Sequence, residues 1–342
     1  MTSAAGPVRT APRTLLSMGP AIHRTLLDAG ALERLSRIAH TDTAVSVTDY
    51  RLADPALLAR TEVLFTHWGA PVLDEEALRR MPALEAVVHA AGSVKHHVTP
   101  AVWHRGIRVS SAAAANALPV AEFTLAAILF ANKRVLESSR RYRDARSAEG
   151  LLPYFAGHGN YRRTVGIVGA SRIGRRVIEL LRPFDLDVVL HDPYATAQEA
   201  AGLGAELLPL NELVARSHVV SVHAPELPET RHMFDAKLLA ALADGATLIN
   251  TARGSLVDTA ALVAELESGR IHAVLDVTDP DELPPHSPLY TLPNVLLTPH
   301  IAGSLGNELE RMAHWAVEEV QRYAAGLPFM HGVGPDELIR SA

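Results

Sequence analysis

Short apolar runs alternate with amphipathic segments along this chain. TLLSM (14–18), VLFTHWG (63–69), LEAVVHAAG (84–92) and IRVSSA (107–112) read as strands that run into loops. LDEEALRRM (73–81), between two of them, has the spacing of an amphipathic helix. PVAEFTLAAILFANKRVLES (119–138) is apolar around most of its circumference, which predicts a helix buried in a core or a subunit interface. A weakly patterned loop with Gly and Pro (149–160) follows. Beyond it, VVLHD, VVSVHAP, TLINTARG, HAVLDV and VLLTPH end strands, with helical segments between them and a last helix over 304–326. This alternation predicts a parallel, doubly wound sheet.

The junction RTVGIVGASRIGRRV (163–177) adds chemistry to the pattern. An apolar strand meets a glycine turn and then a helix, the layout that brings backbone N–H groups and a helix N-terminus against a pyrophosphate. Gly169 and Gly174 are the first and last glycines of that fingerprint, and Ser171 stands at the middle position. The next strand, LDVVLHD, ends in Asp192, 18 residues after Gly174. A carboxylate there suits a ribose 2′-hydroxyl and would repel a 2′-phosphate. No Arg or Lys follows in HDPYATAQE, so the pattern predicts NAD rather than NADP.

Composition narrows the remaining classes. A chain of 342 residues, 48% apolar and 20% charged, has the material for two ordinary globular domains. A formal charge of −6 argues against an obligatory nucleic-acid partner, and the densest basic stretch, SSRRYRDARS (138–147), reads as a solvated helix face. There are no cysteines, which excludes disulfides, thiolate catalysis and thiolate metal sites and fits a reducing cytoplasm. MTSAAGPVRTAPR lacks the apolar core of a signal peptide, and charge or proline interrupts the apolar windows before they reach membrane-spanning length. The chain is therefore expected to be cytoplasmic, with no membrane partner. His96 and His97 read as surface residues, and no metal site is expected.

Three strand ends deliver reactive side chains: Arg253 after TLIN, Asp276 at the end of HAVLD, and His300 after VLL. Ligands of open α/β sheets bind at such ends. Hydride transfer to a carbonyl would use them well. A guanidinium clamps the carboxylate of a 2-oxo acid with two parallel hydrogen bonds, and a histidine supplies the proton for the developing alkoxide. A carboxylate beside that histidine would hold its ring and stabilise the imidazolium. Candidates lie in DVTDPDELPPHSPLY (276–290).

Four segments, VGIVGASRIG, VVSVHAPELPETRHM, LINTARGSLVD and VLLTPHIAG, resemble in order and spacing the motifs of the D-isomer-specific 2-hydroxyacid dehydrogenase family, which includes glyoxylate/hydroxypyruvate reductases and phosphoglycerate dehydrogenases. The resemblance covers nearly the whole chain from about residue 60. It implies an α/β fold of two Rossmann-like, doubly wound parallel-sheet domains with a cleft between them. Residues 113–303 would form the NAD-binding domain, inserted between 1–112 and 304–342, which would form the substrate domain. It further implies a homodimer, here through helix 119–138.

The same resemblance assigns roles. Arg253 would anchor the substrate and His300 would be the acid/base, paired with a family glutamate that falls here on Asp281, one methylene shorter; the adjacent Glu282 is the alternative. The cofactor set would be Gly169, Ser171, Arg172, Ile173, Gly174, Asp192, His223, Ala224, Pro225, Thr230, Thr251, Ala252, Arg253, Asp276, His300 and Gly303, with Asp276 on the nicotinamide carboxamide. Ala91, Gly92, Ser93 and Asn116 would join Arg253 and His300 around the substrate. Ser171 stands where the family has Gly, which predicts weaker NAD binding. The expected activity is NAD-dependent interconversion of a 2-oxo acid and a D-2-hydroxy acid. The alternative is an NAD(H)-sensing protein on the same scaffold with little turnover. A formate-dehydrogenase-like reading is disfavoured, because that variant uses an amide where this chain has a carboxylate.

Overall fold

In the computed structural model, residues 11–340 are described. Most of the segment expected to lack a signal peptide, residues 1–10, lies outside them. The chain divides into two compact units: one takes the chain up to Ala117 and resumes at Ser304, and the other runs Leu118–Gly303.

Unit 1 is built on β1 (Thr14–Ser17), β2 (Val63–Thr66), β3 (Ala86–His89) and β4 (Arg108–Ser111), parallel and adjacent in that order. The first three strands are buried at every position, as expected of strands covered on both faces. Leu16, Phe65 and Val88 pack beneath helices Ala29–Ile38 and Glu308–Ala324 through Leu35, Met312 and Val317. Leu15, Leu64 and Val87 point the other way, towards Leu78, Met81 and Val102. Leu16 also bridges to Ser46 while pairing with Phe65, so the strand order turns back at β1 and the unit is doubly wound. One strand departs from the parallel expectation: Gly332–Val333 runs antiparallel to β4, because the chain returns to the sheet edge after the last helix.

Unit 2 holds seven parallel strands: β5 (Arg163–Val168), β6 (Leu186–His191), β7 (Glu206–Leu207), β8 (Val219–Val222), β9 (Thr247–Asn250), β10 (His272–Leu275) and β11 (Val295–Leu297). Their order is β11-β10-β9-β8-β5-β6-β7, so the direction of winding reverses beside β5, between β6 and β8. β7 is only two residues long and left no period in the sequence. The apolar helix spans Ala113–Asn132 and, against the expectation that charge or proline interrupts every such window, is long and apolar enough by composition to cross a membrane, since Pro119 sits inside it without ending it. Packing accounts for that composition within unit 2, where Ala121, Ala127 and Ile128 join Val165, Ile167 and Val177 in one core cluster. The helix does not continue to residue 138 as expected. Arg134 takes a left-handed φ of 53°, its guanidinium bonds the Gly245 carbonyl and the Thr247 hydroxyl, and a second helix, Val135–Ala145, begins there.

Unit 1 also buries three histidines, and His97 is one of them: it is 4% exposed, against the expectation of a surface residue, while His96 is exposed. Burial pushes His67 down to about 3 and His97 to about 4, and His89 lies well below 6.5 for the same reason, aided by His97. Only the unfolded chain therefore takes up protons at these sites as the pH falls below 6.5. Each costs about 2 kcal/mol of stability between pH 6.5 and pH 5. Denaturant unfolding of unit 1 at pH 5 and pH 7.5 should show the acid sample clearly weaker, and His97→Phe should flatten that slope.

Candidate active site

The turn after β5 is shaped by close backbone approach. Gly169 has φ +104°, and a Cβ there would lie 2.7 Å from the Ala224 nitrogen and the His223 carbonyl. A Cβ on Gly174 would lie 2.0 Å from the Gly169 carbonyl oxygen. Only glycines let helix Arg172–Leu181 stack on the turn and the turn on the loop after β8. Ser171 sits at φ −63°, open to any residue, and its hydroxyl accepts the Gly174 N–H at 3.3 Å. It caps the helix that carries Arg172 and Ile173 in its first turn. Asp192 accepts the Ala170 N–H at 2.6 Å and the Tyr194 N–H at 2.8 Å, which fastens a carboxylate beside the same turn.

The loop after β8 presents His223, Ala224 and Pro225. His223 is buried and pushed down to about 3 by that burial. Its Nε2 meets the Ser221 hydroxyl at 2.9 Å, and its buried Nδ1 has no partner among the described residues. Thr230 closes the loop, donating to the Pro225 carbonyl at 2.7 Å and accepting the Leu227 N–H at 2.9 Å. Backbone donors at a helix N-terminus, a cradle that a Cβ would fill and a carboxylate at the end of β6 together fit a dinucleotide.

The second half of the site hangs from β9, β10 and β11, three adjacent strands whose carboxyl ends share one edge. Asn250, at the end of β9, folds its side chain back over the next turn, donating to the Arg253 carbonyl at 2.8 Å and accepting the Ala252 N–H at 3.1 Å. The Thr251 and Thr124 hydroxyls meet at 3.1 Å. A Cβ on Gly254 would lie 2.0 Å from the Thr278 carbonyl, so the loops after β9 and β10 lie against each other. Burial pushes the Arg253 guanidinium down, and the Glu226 and Asp281 carboxylates pull it back up.

Asp276 organises the loop after β11. Its carboxylate is 2% exposed and accepts the Thr298 hydroxyl at 2.6 Å and the Ile301 and Ala302 N–H groups at 2.8 Å each. Its backbone carbonyl accepts the His300 N–H at 2.9 Å. His300 has a left-handed φ of 55° and an exposed side chain between these tethers. Gly303 ends unit 2. In unit 1, the Asn116 amide oxygen accepts the Ser304 N–H at 2.9 Å, and its nitrogen lies 3.3 Å from where a Cβ of Gly92 would stand, beside Ala91 and Ser93.

The structure thus gathers Gly169, Ser171, Gly174, Asp192, His223 and Ala224 around one turn, and Arg253, Asp276 and His300 along one sheet edge. It does not pair His300 with a carboxylate: Asp281 and Glu282 are exposed, and among the described residues neither bonds the ring. Asn250 and Thr298 were not singled out from the sequence. An Asn closing a strand ahead of a turn is a recognisable signal for the first, since its amide can mimic a backbone turn.

A family model described as "D-isomer specific 2-hydroxyacid dehydrogenase, NAD binding domain" matches residues 125–302. The chain is 33% identical over 321 residues to D-3-phosphoglycerate dehydrogenase of Mycobacterium bovis, covering 93% of this chain and 56% of that protein. It therefore spans about half the length of that relative. It is 34% identical over 251 residues to glyoxylate reductase of Thermofilum pendens, covering 72% and 74%. Among solved structures, a Thermus thermophilus protein superposes with a TM-score of 0.75 at 33% identity, over 94% of this chain and all of that one. D-lactate dehydrogenase of Aquifex aeolicus, complexed with NAD and lactic acid, gives 0.73 at 26% identity, over 92% and 96%.

The Asp276 tethers have a measurable consequence. Asp276→Ala should speed amide exchange at Ile301 and Ala302 by about tenfold or more, because a bond to a charged acceptor contributes about 1.5–3 kcal/mol. Exchange in β5 and β6 should stay unchanged. Equal exchange at all of these sites in the variant and the parent would show that Asp276 does not hold the loop.

Proposed function

Because this chain belongs to the D-isomer specific 2-hydroxyacid dehydrogenase family and carries its NAD-binding domain, we propose that it is an NAD-dependent reductase of small 2-oxo acids, equally a D-2-hydroxy acid dehydrogenase in reverse. The observation that carries this reading is the arrangement around Asp276. One buried carboxylate tethers the His300 loop, and the loop beyond it supports the Arg253 turn, so a guanidinium and an imidazole leave the same sheet edge with one strand between them.

When bound in the turn after β5, the nicotinamide cofactor would supply the hydride for C2 of the oxo acid. Arg253 binds the substrate carboxylate and carbonyl, with the Glu226 and Asp281 carboxylates favouring its charged form against burial. His300 gives a proton to the carbonyl oxygen as it becomes a hydroxyl, and removes it in the reverse reaction. Asp281 orients the ring, with Glu282 the alternative. Among the described residues neither bonds His300 in this structure. Backbone amides of Ala91, Gly92 and Ser93, with Asn116, add donors for the substrate carboxylate. Asp192 would take the ribose hydroxyls, the Gly169–Gly174 turn the pyrophosphate and Asp276 the nicotinamide carboxamide, and His223, Ala224, Pro225, Thr230, Thr251, Ala252 and Gly303 would line the remaining cofactor path. The absence of cysteine from the chain supports a cytoplasmic setting.

NADH consumption with glyoxylate, hydroxypyruvate and bulkier 2-oxo acids, against NADPH, tests the reading. His300→Ala should lower kcat by about 10²-fold or more with NADH affinity within about twofold. Arg253→Ala should raise KM and lower kcat together. NADH binding without turnover of any 2-oxo acid would turn the assignment towards an NAD(H) sensor.

The same proposal includes a homodimer through the apolar helix and the segment after it. Phe130, Leu136 and Tyr142 are exposed there, and Phe130 borders a hollow of about 160 Å³ lined by Phe123, Ala127, Val274 and Leu296. Sedimentation should show a dimer that Phe130→Asp converts to monomer; a monomeric parent protein would end this part of the reading.

A further inference from the structure

Loop 90–96 of unit 1 follows β3 and contains the amides assigned above to the substrate carboxylate. Both of its stems are fastened to one residue of the neighbouring strand. Thr66 ends β2 and stands opposite His89 in the sheet register. At the first stem, the Thr66 carbonyl accepts the Ala90 N–H at 2.8 Å, and its hydroxyl meets Nδ1 of His89 at 2.9 Å. At the second stem, the same hydroxyl meets Nε2 of His97 at 3.3 Å. The two rings lie face to face, tilted by 41° with centroids 4.4 Å apart. All three side chains are buried: Thr66 is 0%, His89 3% and His97 4% exposed.

A hydroxyl has one proton, so Thr66 donates to one ring and accepts from the other. The three groups therefore form a directed chain in which the ring that accepts from Thr66 is neutral, and burial disfavours charge on the other. The backbone reinforces the second stem: the His97 N–H donates to Val94 at 3.2 Å and its carbonyl accepts the Leu73 N–H at 2.7 Å. Buried polar side chains at the carboxyl end of a strand are costly unless bonded, and here the bonds close a loop rather than fill a core.

We propose that the buried chain His89–Thr66–His97 is a clamp that sets the conformation of loop 90–96, and that Thr66 is thereby a positioning residue for substrate capture. The second clause rests on the reductase reading; the clamp itself does not.

Thr66→Val keeps the shape of the side chain and removes the shared hydroxyl. In the full-length variant, amide exchange across 90–97 should rise about tenfold, with β1 and the whole of unit 2 unchanged. KM for the best 2-oxo acid should rise by a similar factor, with kcat and NADH affinity within about twofold. Thr66→Ser, which retains the hydroxyl, should restore both readings. Unaltered exchange in Thr66→Val, or Thr66→Ser as impaired as Thr66→Val, would overturn the clamp. Faster exchange with unchanged KM would overturn its role in substrate capture. A parent protein that turns over no 2-oxo acid, yet shows the exchange effect, would sink the reductase reading and uphold the clamp.

Discussion

A carboxylate buried at the end of β10 is the constraint on which the reactive edge of unit 2 depends. Burying such a charge is costly unless donors surround it, and Asp276 has three, all from the loop that carries His300. Those donors belong to Thr298, Ile301 and Ala302, on both sides of the histidine. The loop is therefore held at its flanks while the imidazole stays exposed. The backbone of Asp276 adds a bond to His300 itself, and the left-handed φ of that residue is maintained by the tethers around it. The same strand continues into Thr278, whose carbonyl lies flat against Gly254 beside Arg253. Three loops from three strands thus constrain one another.

At the other end of the site the constraint is steric rather than electrostatic. Gly169 and Gly174 are places where a single added carbon would meet backbone atoms that cannot move away. Ser171 needs no such freedom, because its backbone lies in the extended region and its side chain completes the helix N-terminus. A residue that looks like a defect in a glycine pattern is a helix cap in three dimensions.

Unit 1 relies on hydrogen bonding among buried neutral groups. Thr66, His89 and His97 are linked through a single hydroxyl, with Nε2 of His89 left buried and unpartnered among the described residues, and that link joins two loop stems that the strand pairing alone would leave independent. Stability at neutral pH and susceptibility to acid then have one origin, since the rings must stay uncharged where they are.

Much of this molecule was legible in the one-dimensional pattern. The apolar runs located the principal strands of both sheets, because buried parallel strands read as continuous hydrophobic stretches. Glycine spacing and Asp192 marked the tight turn after β5, and Arg253, Asp276 and His300 were visible as strand-end residues. The two-residue β7, the antiparallel Gly332–Val333 and the break at Arg134 were not, since pairing partners and a local left-handed turn supplied what periodicity lacked. The sequence by itself determined which residue types stand at the carboxyl ends of the strands, because strand length and alternation are local properties. Only the tertiary structure decided what they touch: that Asp276 spends its oxygens on the His300 loop, that the Glu226 and Asp281 carboxylates favour the charged form of Arg253, and that His97 lies inside. Those outcomes depend on distances between segments far apart in the chain, which no local pattern carries.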